Sequence, residues 1–323
     1  MSCHDIRVAG IMRVYDILGK KRLTMVGQKE LCGQFAVVFV LAAGVAWGAC
    51  AHAEPKCPLP GDWVLDKEIS DEFDGPALDK GKWWDYAPHW PGRPGVYRTL
   101  AKNVAQRDGD LHLVTDKVPD EEIPYEARMD GMQGYTCALV KSRKKVMYGY
   151  FEARIKATPA AIRNAFWLYD PHSDNLRRKY SPGDVSEEID VCEILGKHQA
   201  GDESQEYLTS HYTHHYLTPY YEGICNYLNV PLGFMRKLAF CPSEDYHVYG
   251  LLWTKDELVW YVDNKESARM TTGSFGQGGF RRPLHVVLDT EVNDWSGAKV
   301  SELDDATLPA TAKVDWFRRW CRR

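Results

Sequence analysis

No long segment of this 323-residue chain repeats apolar residues at the 3.6-residue period of a helix. What remains is many short strand-like runs with frequent turns, the material of an all-β domain. Surplus positive charge is also missing. The chain has 40 Lys and Arg against 45 Asp and Glu, a net charge of −5, so no general affinity for nucleic acid is expected. Internal repeats and low-complexity tracts are absent. The apolar run FAVVFVLAAGVAWGA, residues 35–49, is short for a membrane span.

That run follows the basic residues Lys20, Lys21, Arg22 and Lys29 and precedes Ala51-His52-Ala53, an A-x-A cleavage pattern. Residues 1–53 therefore read as a signal peptide, with Met12 or Met25 as alternative starts, and the protein as secreted or periplasmic. A lipoprotein anchor at Cys50 is disfavoured by the poor match of Trp47-Gly48-Ala49. Residues 54–323 are left as one domain, expected to be a monomer. It has 34 basic and 42 acidic residues, a net charge of −8. Its six cysteines, Cys57, Cys137, Cys192, Cys225, Cys241 and Cys321, permit disulfides in an exported protein. Cys225 and Cys241 bracket one loop and are the expected pair, and Cys57 with Cys321 can tie the ends. Cys137 and Cys192 lie in strand-like runs, where a free buried thiol is the alternative.

Aromatics are abundant, 12% of residues with 11 Trp. Residues 83–98, WWDYAPHWPGRPGVYR, read as a ring-rich loop, since proline is excluded from a central strand. Residues 103–116 read as a hairpin turning at Asp108-Gly109. Two strands are expected within 135–159, one over 164–170 and one over 206–216 with Thr209, His211, Thr213 and His215 on one face. Residues 217–243 are expected to be a long loop. Two strands follow around Lys255-Asp256, then strands at 283–292 and 313–320. The expected fold is a β-sandwich.

The chemistry concentrates in EEIDVCE, Glu187–Glu193. Alternating Ile189 and Val191 make a strand, which puts Glu188 and Asp190 on one face. Glu193 would face away in a regular strand, and one extra residue, a β-bulge, would turn it back. Three carboxylates in one cleft cannot all ionise freely, so at least one is pushed up. A proton-donating acid beside an ionised carboxylate is what glycosidic bond cleavage needs. Glu187 has the opposite parity and is given no role. The plain alternative is an acidic strand edge in solvent.

The spacing E-x-D-x-x-E resembles the bulged signature of glycoside hydrolase family 16. Five further runs resemble the family in the right order: Ser70–Trp83, Tyr148–Lys156, Asn164–Asp170, Asp245–Ser267 and Lys313–Trp320. The resemblance spans about residues 63–320. It implies a jelly-roll β-sandwich of two antiparallel sheets with a concave substrate cleft, and a retaining enzyme with Glu188 as nucleophile, Glu193 as acid/base and Asp190 between them. It implies no cofactor for catalysis. It does imply a structural Ca²⁺ on the convex face, with Glu72, Asp315 and the Gly109 carbonyl as ligands. Trp167 resembles a cleft residue that stacks on sugar, with core packing as the alternative. His211 can bond a sugar, tune Glu193 or be structural. Trp90 and Trp295 are candidates for the cleft ends, and Glu291 for a sugar hydroxyl. Arg177 and Arg178, just ahead of the acids, suit a sulfate oxyanion unless they are simply solvated. LDTEVNDW, residues 288–295, resembles the galactan enzymes rather than the laminarinases, so a polysaccharide partner of agarose or porphyran type is expected ahead of carrageenan. The competing readings are a β-1,3(4)-glucanase, a transglycosylase, and a jelly roll that binds glycans without cutting them.

Overall fold

A computed structural model describes residues 54–86, 98–99, 101–122, 125, 134–170, 185–198, 206–217, 220–221, 224–225, 228–275, 279–292 and 303–323. Residues Glu54–Arg323 form one compact unit, almost entirely β. One sheet, the inner, runs in the order β14 (Leu228–Lys237), β11 (Leu208–Leu217), β10 (Val185–Leu195), β9 (Arg163–Asp170), β18 (His285–Glu291), β7 (Leu139–Ser142) and β2 (Trp83–Trp84). The outer sheet runs β17 (Lys265–Thr271), β16 (Glu257–Val262), β15 (His247–Trp253), β8 (Gly149–Lys156), β19 (Ala310–Arg322), β5 (Asp110–Lys117), β6 (Tyr135–Cys137) and β3 (Arg98–Thr99). Onto it β1 (Trp63–Leu65) adds at β19 and β4 (Val104–Arg107) at β5. A small separate hairpin joins β12 (Tyr220–Tyr221) to β13 (Ile224–Cys225). Among the described residues, the strand pairings are antiparallel except that of β3 with β6.

The core lies between the sheets. In β8 the side chains of Phe151, Ala153 and Ile155 enter it, against Ile189, Leu251 and Phe317. The expected hairpin turn has Asp108 at φ 57° and Gly109 at φ 80°, both in the left-handed region that a tight hairpin requires. Asp263 and Asn264, at φ 48° and 61°, make a second such turn. The two strands expected over 245–267 are consequently three.

The loop expected over 217–243 contains the ten-residue strand β14. Pro231 and Gly233 make its sequence read as a loop. At the edge of a sheet, however, a missing proline N–H costs no ladder bond, and β14 is that edge. Trp83 is not an exposed ring. It is fully buried against Phe73 and Phe317 and donates to Asp71 Oδ2 at 2.9 Å.

Two further expectations fail. Cys57, Cys241 and Cys321 are free thiols, so neither expected disulfide forms, and Cys241 Sγ lies 3.3 Å from the Ser243 hydroxyl instead. Cys137 and Cys192 are free and fully buried. The carboxylates expected to hold Ca²⁺ are occupied by guanidinium groups. Arg318 grips both oxygens of Glu72 at 2.9 and 2.7 Å, and Arg154 binds Asp315 at 2.5 Å. Those partners supply the positive charge that a Ca²⁺ would bring, so the residues do not fit a calcium site.

Candidate active site

The kink in β10 shows in both of its ladders. Toward β9, Asp190 faces Trp167 and Cys192 faces Phe166, so Val191 is an extra residue. Toward β11, Ile189 faces Thr213 and Glu193 faces Ser210, again one residue too many. The slip restores parity. Glu188, Asp190 and Glu193 stand opposite Tyr169, Trp167 and Ala165, which alternate along one face of β9. All three acids therefore share the face turned away from the core, while Ile189, Cys192 and Ile194 enter it.

A bulge leaves carbonyls without ladder partners, and these two are caught from behind. The Trp260 indole donates to the Asp190 carbonyl at 2.9 Å, and His211 Nδ1 donates to the Val191 carbonyl at 2.7 Å. His211 Nε2 then accepts from the Ser267 hydroxyl at 2.9 Å, and its ring stacks on Trp260. His211 is thus on the core side, not in the cleft. Burial pushes its imidazole down to about 4, so it stays neutral. Glu187 also faces inward, accepting the Phe280 N–H at 2.7 Å and the Arg282 N–H at 3.1 Å.

On the acidic face the charges oppose one another. Burial first, then the negative charge of Glu188, Glu193 and Asp289, holds the Asp190 carboxyl well above the usual carboxylate range. Burial also pushes Glu193 up to about 7. Arg163 and His214 pull it down, and Glu291 and Glu188 add to the rise. Arg163 Nη1 lies 3.5 Å from Glu193 Oε1. His214 Nε2 lies 3.6 Å from Asp190 Oδ2 and 4.0 Å from Glu188 Oε1. The arrangement offers a carboxyl able to donate a proton near neutrality, with further carboxyl groups beside it. Glu188, Asp190 and His214 present donor atoms within 4.8 Å of one another, a set that a divalent cation accepts. Asp190 favours its protonated form there, which opposes metal binding and suits proton sharing.

A family model described as Beta-porphyranase A-D, GH16 domain, matches residues 63–321. The chain belongs to glycoside hydrolase family 16. This glycoside hydrolase is 28% identical over 273 residues to Beta-porphyranase B of Zobellia galactanivorans, covering 83% of this chain and 87% of that one. It is 29% identical over 313 residues to the Kappa-carrageenase of Pseudoalteromonas carrageenovora, covering 89% and 72%. Its fold matches the solved beta-porphyranase BpGH16B of Bacteroides plebeius with a TM-score of 0.64 at 22% identity, over 83% of this chain and 94% of that one.

The family-16 cleft face carries two more of the expected residues. Trp167 stands opposite Asp190, its indole 3.3 Å from Asp289 Oδ2 and its ring 5.3 Å from that of Tyr169. Glu291 ends β18 on the same face, opposite Arg163. Trp90, Trp295, Arg177 and Arg178 lie outside the described residues. Arg163 and His214 were not singled out by sequence. On β11 both faces carry a histidine and small hydroxyl residues, so hydropathy does not say which face is inward. Only the register of β11 on β10, Glu188 against His214, decides it.

Proposed function

We propose that the protein is a secreted, retaining endo-glycosidase that cleaves β-linkages of a red-algal galactan, porphyran or agarose ahead of carrageenan. The observation that carries the reading is the kinked strand with Glu188, Asp190 and Glu193 on one face and Glu193 held near neutrality. In the first step Glu193 gives its proton to the glycosidic oxygen as a Glu188 oxygen bonds to the anomeric carbon and the C–O bond breaks. The cut chain leaves as an alcohol. In the second step Glu193, now a carboxylate, takes a proton from water, whose oxygen displaces Glu188 and restores both acids. Asp190 holds a shared proton against Glu188 and fixes its orientation.

The galactan substrate is supported by the family model, which is that of β-porphyranases, and by relatives named as porphyranase and carrageenase. Residues 1–53 are proposed as the export signal. N-terminal sequencing of the secreted enzyme is expected to begin at Glu54. The substrate is tested by reducing-sugar release from porphyran, agarose, κ-carrageenan and laminarin. Release from laminarin alone would overturn it. Glu188→Gln is expected to abolish turnover while retaining binding to the polysaccharide. Unchanged turnover in that variant would remove the mechanism.

A further inference from the structure

We infer that Arg163 positions the Glu193 carboxyl and that Glu291 is the counter-charge that keeps Arg163 from over-committing to it. The inference rests on Glu193 being the acid/base proposed above. Arg163 opens β9 and shares the parity of Ala165 and Trp167, so its side chain lies on the acidic face. It is 7% exposed. Its guanidinium lies 3.5 Å from Glu193 on one neighbouring strand, and the Arg163 backbone pairs directly with that of Glu291 on the other. Side chains directly opposed in an antiparallel pair start about 5 Å apart at Cβ, within reach of a guanidinium fork. An arginine fork can serve two carboxylates at once in a way that a lysine ammonium cannot.

The proposed chemistry asks two things of Glu193. It must hold a proton for the first step and be stable as a carboxylate for the second. A buried carboxyl with no cation would keep its proton throughout. One beside an unopposed arginine would have none to give. Arg163 and Glu291 push in opposite directions and leave Glu193 between these limits. Among the described residues, the other charged groups on its side of the sheet are Glu188 and Asp190 on its own strand, Asp289 on β18 and His214 on β11. None of these combines a positive charge with contact to Glu193 across the β9 side.

The experiment is the pH profile of kcat/KM for Arg163→Met, Arg163→Lys and Glu291→Gln on the full chain. The alkaline limb reports loss of the proton from the acid. Arg163→Met is expected to move that limb up by about one pH unit, and Glu291→Gln to move it down, the opposite sign. Arg163→Lys, which keeps the charge, is expected to move it less than Arg163→Met. A purely structural role would lower activity without moving the limb in opposite directions. If Arg163→Met does not fold, Glu291→Gln alone decides: a limb moved down supports the inference, and an unmoved limb overturns it. Shifts of the same sign in both variants also overturn it. Failure of the underlying reading would look different, because Glu193→Gln would then keep wild-type activity.

Discussion

The indole N–H of Trp260, on the outer sheet, reaches through the core to the carbonyl of Asp190 at 2.9 Å. A residue with no access to the cleft thereby fixes the backbone between two of the three acids. Trp260→Phe keeps most of the ring and removes the donor. Leaving that buried carbonyl unsatisfied is expected to cost about 1–3 kcal/mol and to lower Tm. If the bond also sets the angle of the kink, kcat falls while KM changes little. Thermal unfolding with steady-state kinetics checks both. A lower Tm with unchanged kcat would mean that the kink holds its angle unaided.

Buried histidines weaken the fold in acid; burial lowers His112 as well, and the shift is largest at two others. His211 and His285 are each pushed down to about 4, chiefly by burial, with Lys141 adding to the effect at His285. Their unfolded values lie near 6.5, so the unfolded chain binds more protons between those limits. Stability from this source is full above about pH 6.5 and is lost as the pH falls toward 4, at about 1.4 kcal/mol per pH unit for each histidine. Urea unfolding from pH 7.5 to 4.5 measures the slope. His285→Gln is expected to make it shallower.

Glu152 gives the opposite sign. It is buried on the outer sheet, accepts the Trp320 indole at 2.7 Å, and is pushed up to about 7 by burial. A carboxyl raised by folding contributes stability below its unfolded value, about 4.3, which is lost as the pH rises through 7. Glu152→Gln is therefore expected to gain on the wild type between pH 4 and pH 8, by on the order of 2–3 kcal/mol across that span. Equal differences at both pH values would show that the buried carboxyl does not titrate.

Among the acids, Glu193→Gln removes the proton donor and is expected to lower kcat by roughly 10²- to 10⁴-fold. Asp190→Asn should lose less. A protonated aspartate already presents a donor, and asparagine supplies an N–H of similar reach in the same position. Comparing kcat for the two variants tests the order. A larger loss in Asp190→Asn would mean that Asp190 acts as a carboxylate.

The kinked strand was legible because parity is a local property: Glu193 is five residues from Glu188, and only a bulge reconciles that spacing with one face. Glu291 was legible from its place at a strand end, whereas Trp167 was found through the family resemblance of its run. His211 was misplaced because its face depends on how β11 registers against β10, and register is a pairing between segments far apart in the chain. The same limit hid Arg163 and His214, whose partners are on other strands. β14 was missed because Pro231 and Gly233 look like breakers, and a sequence does not say which strand is an edge. The calcium ligands failed on distant partners too, since nothing local pairs Glu72 with Arg318 or Arg154 with Asp315.

Strand β19 lies between β8 and β5, so the central seam of the outer sheet is made by its final thirteen-residue strand, Ala310–Arg322. During synthesis the ribosome releases β5 and β8 long before anything exists to join them. Each half-sheet must wait with an open edge until β19 emerges. The nascent polypeptide is thus held unfinished until β19 itself is made, and until then chaperones have two open edges to shield.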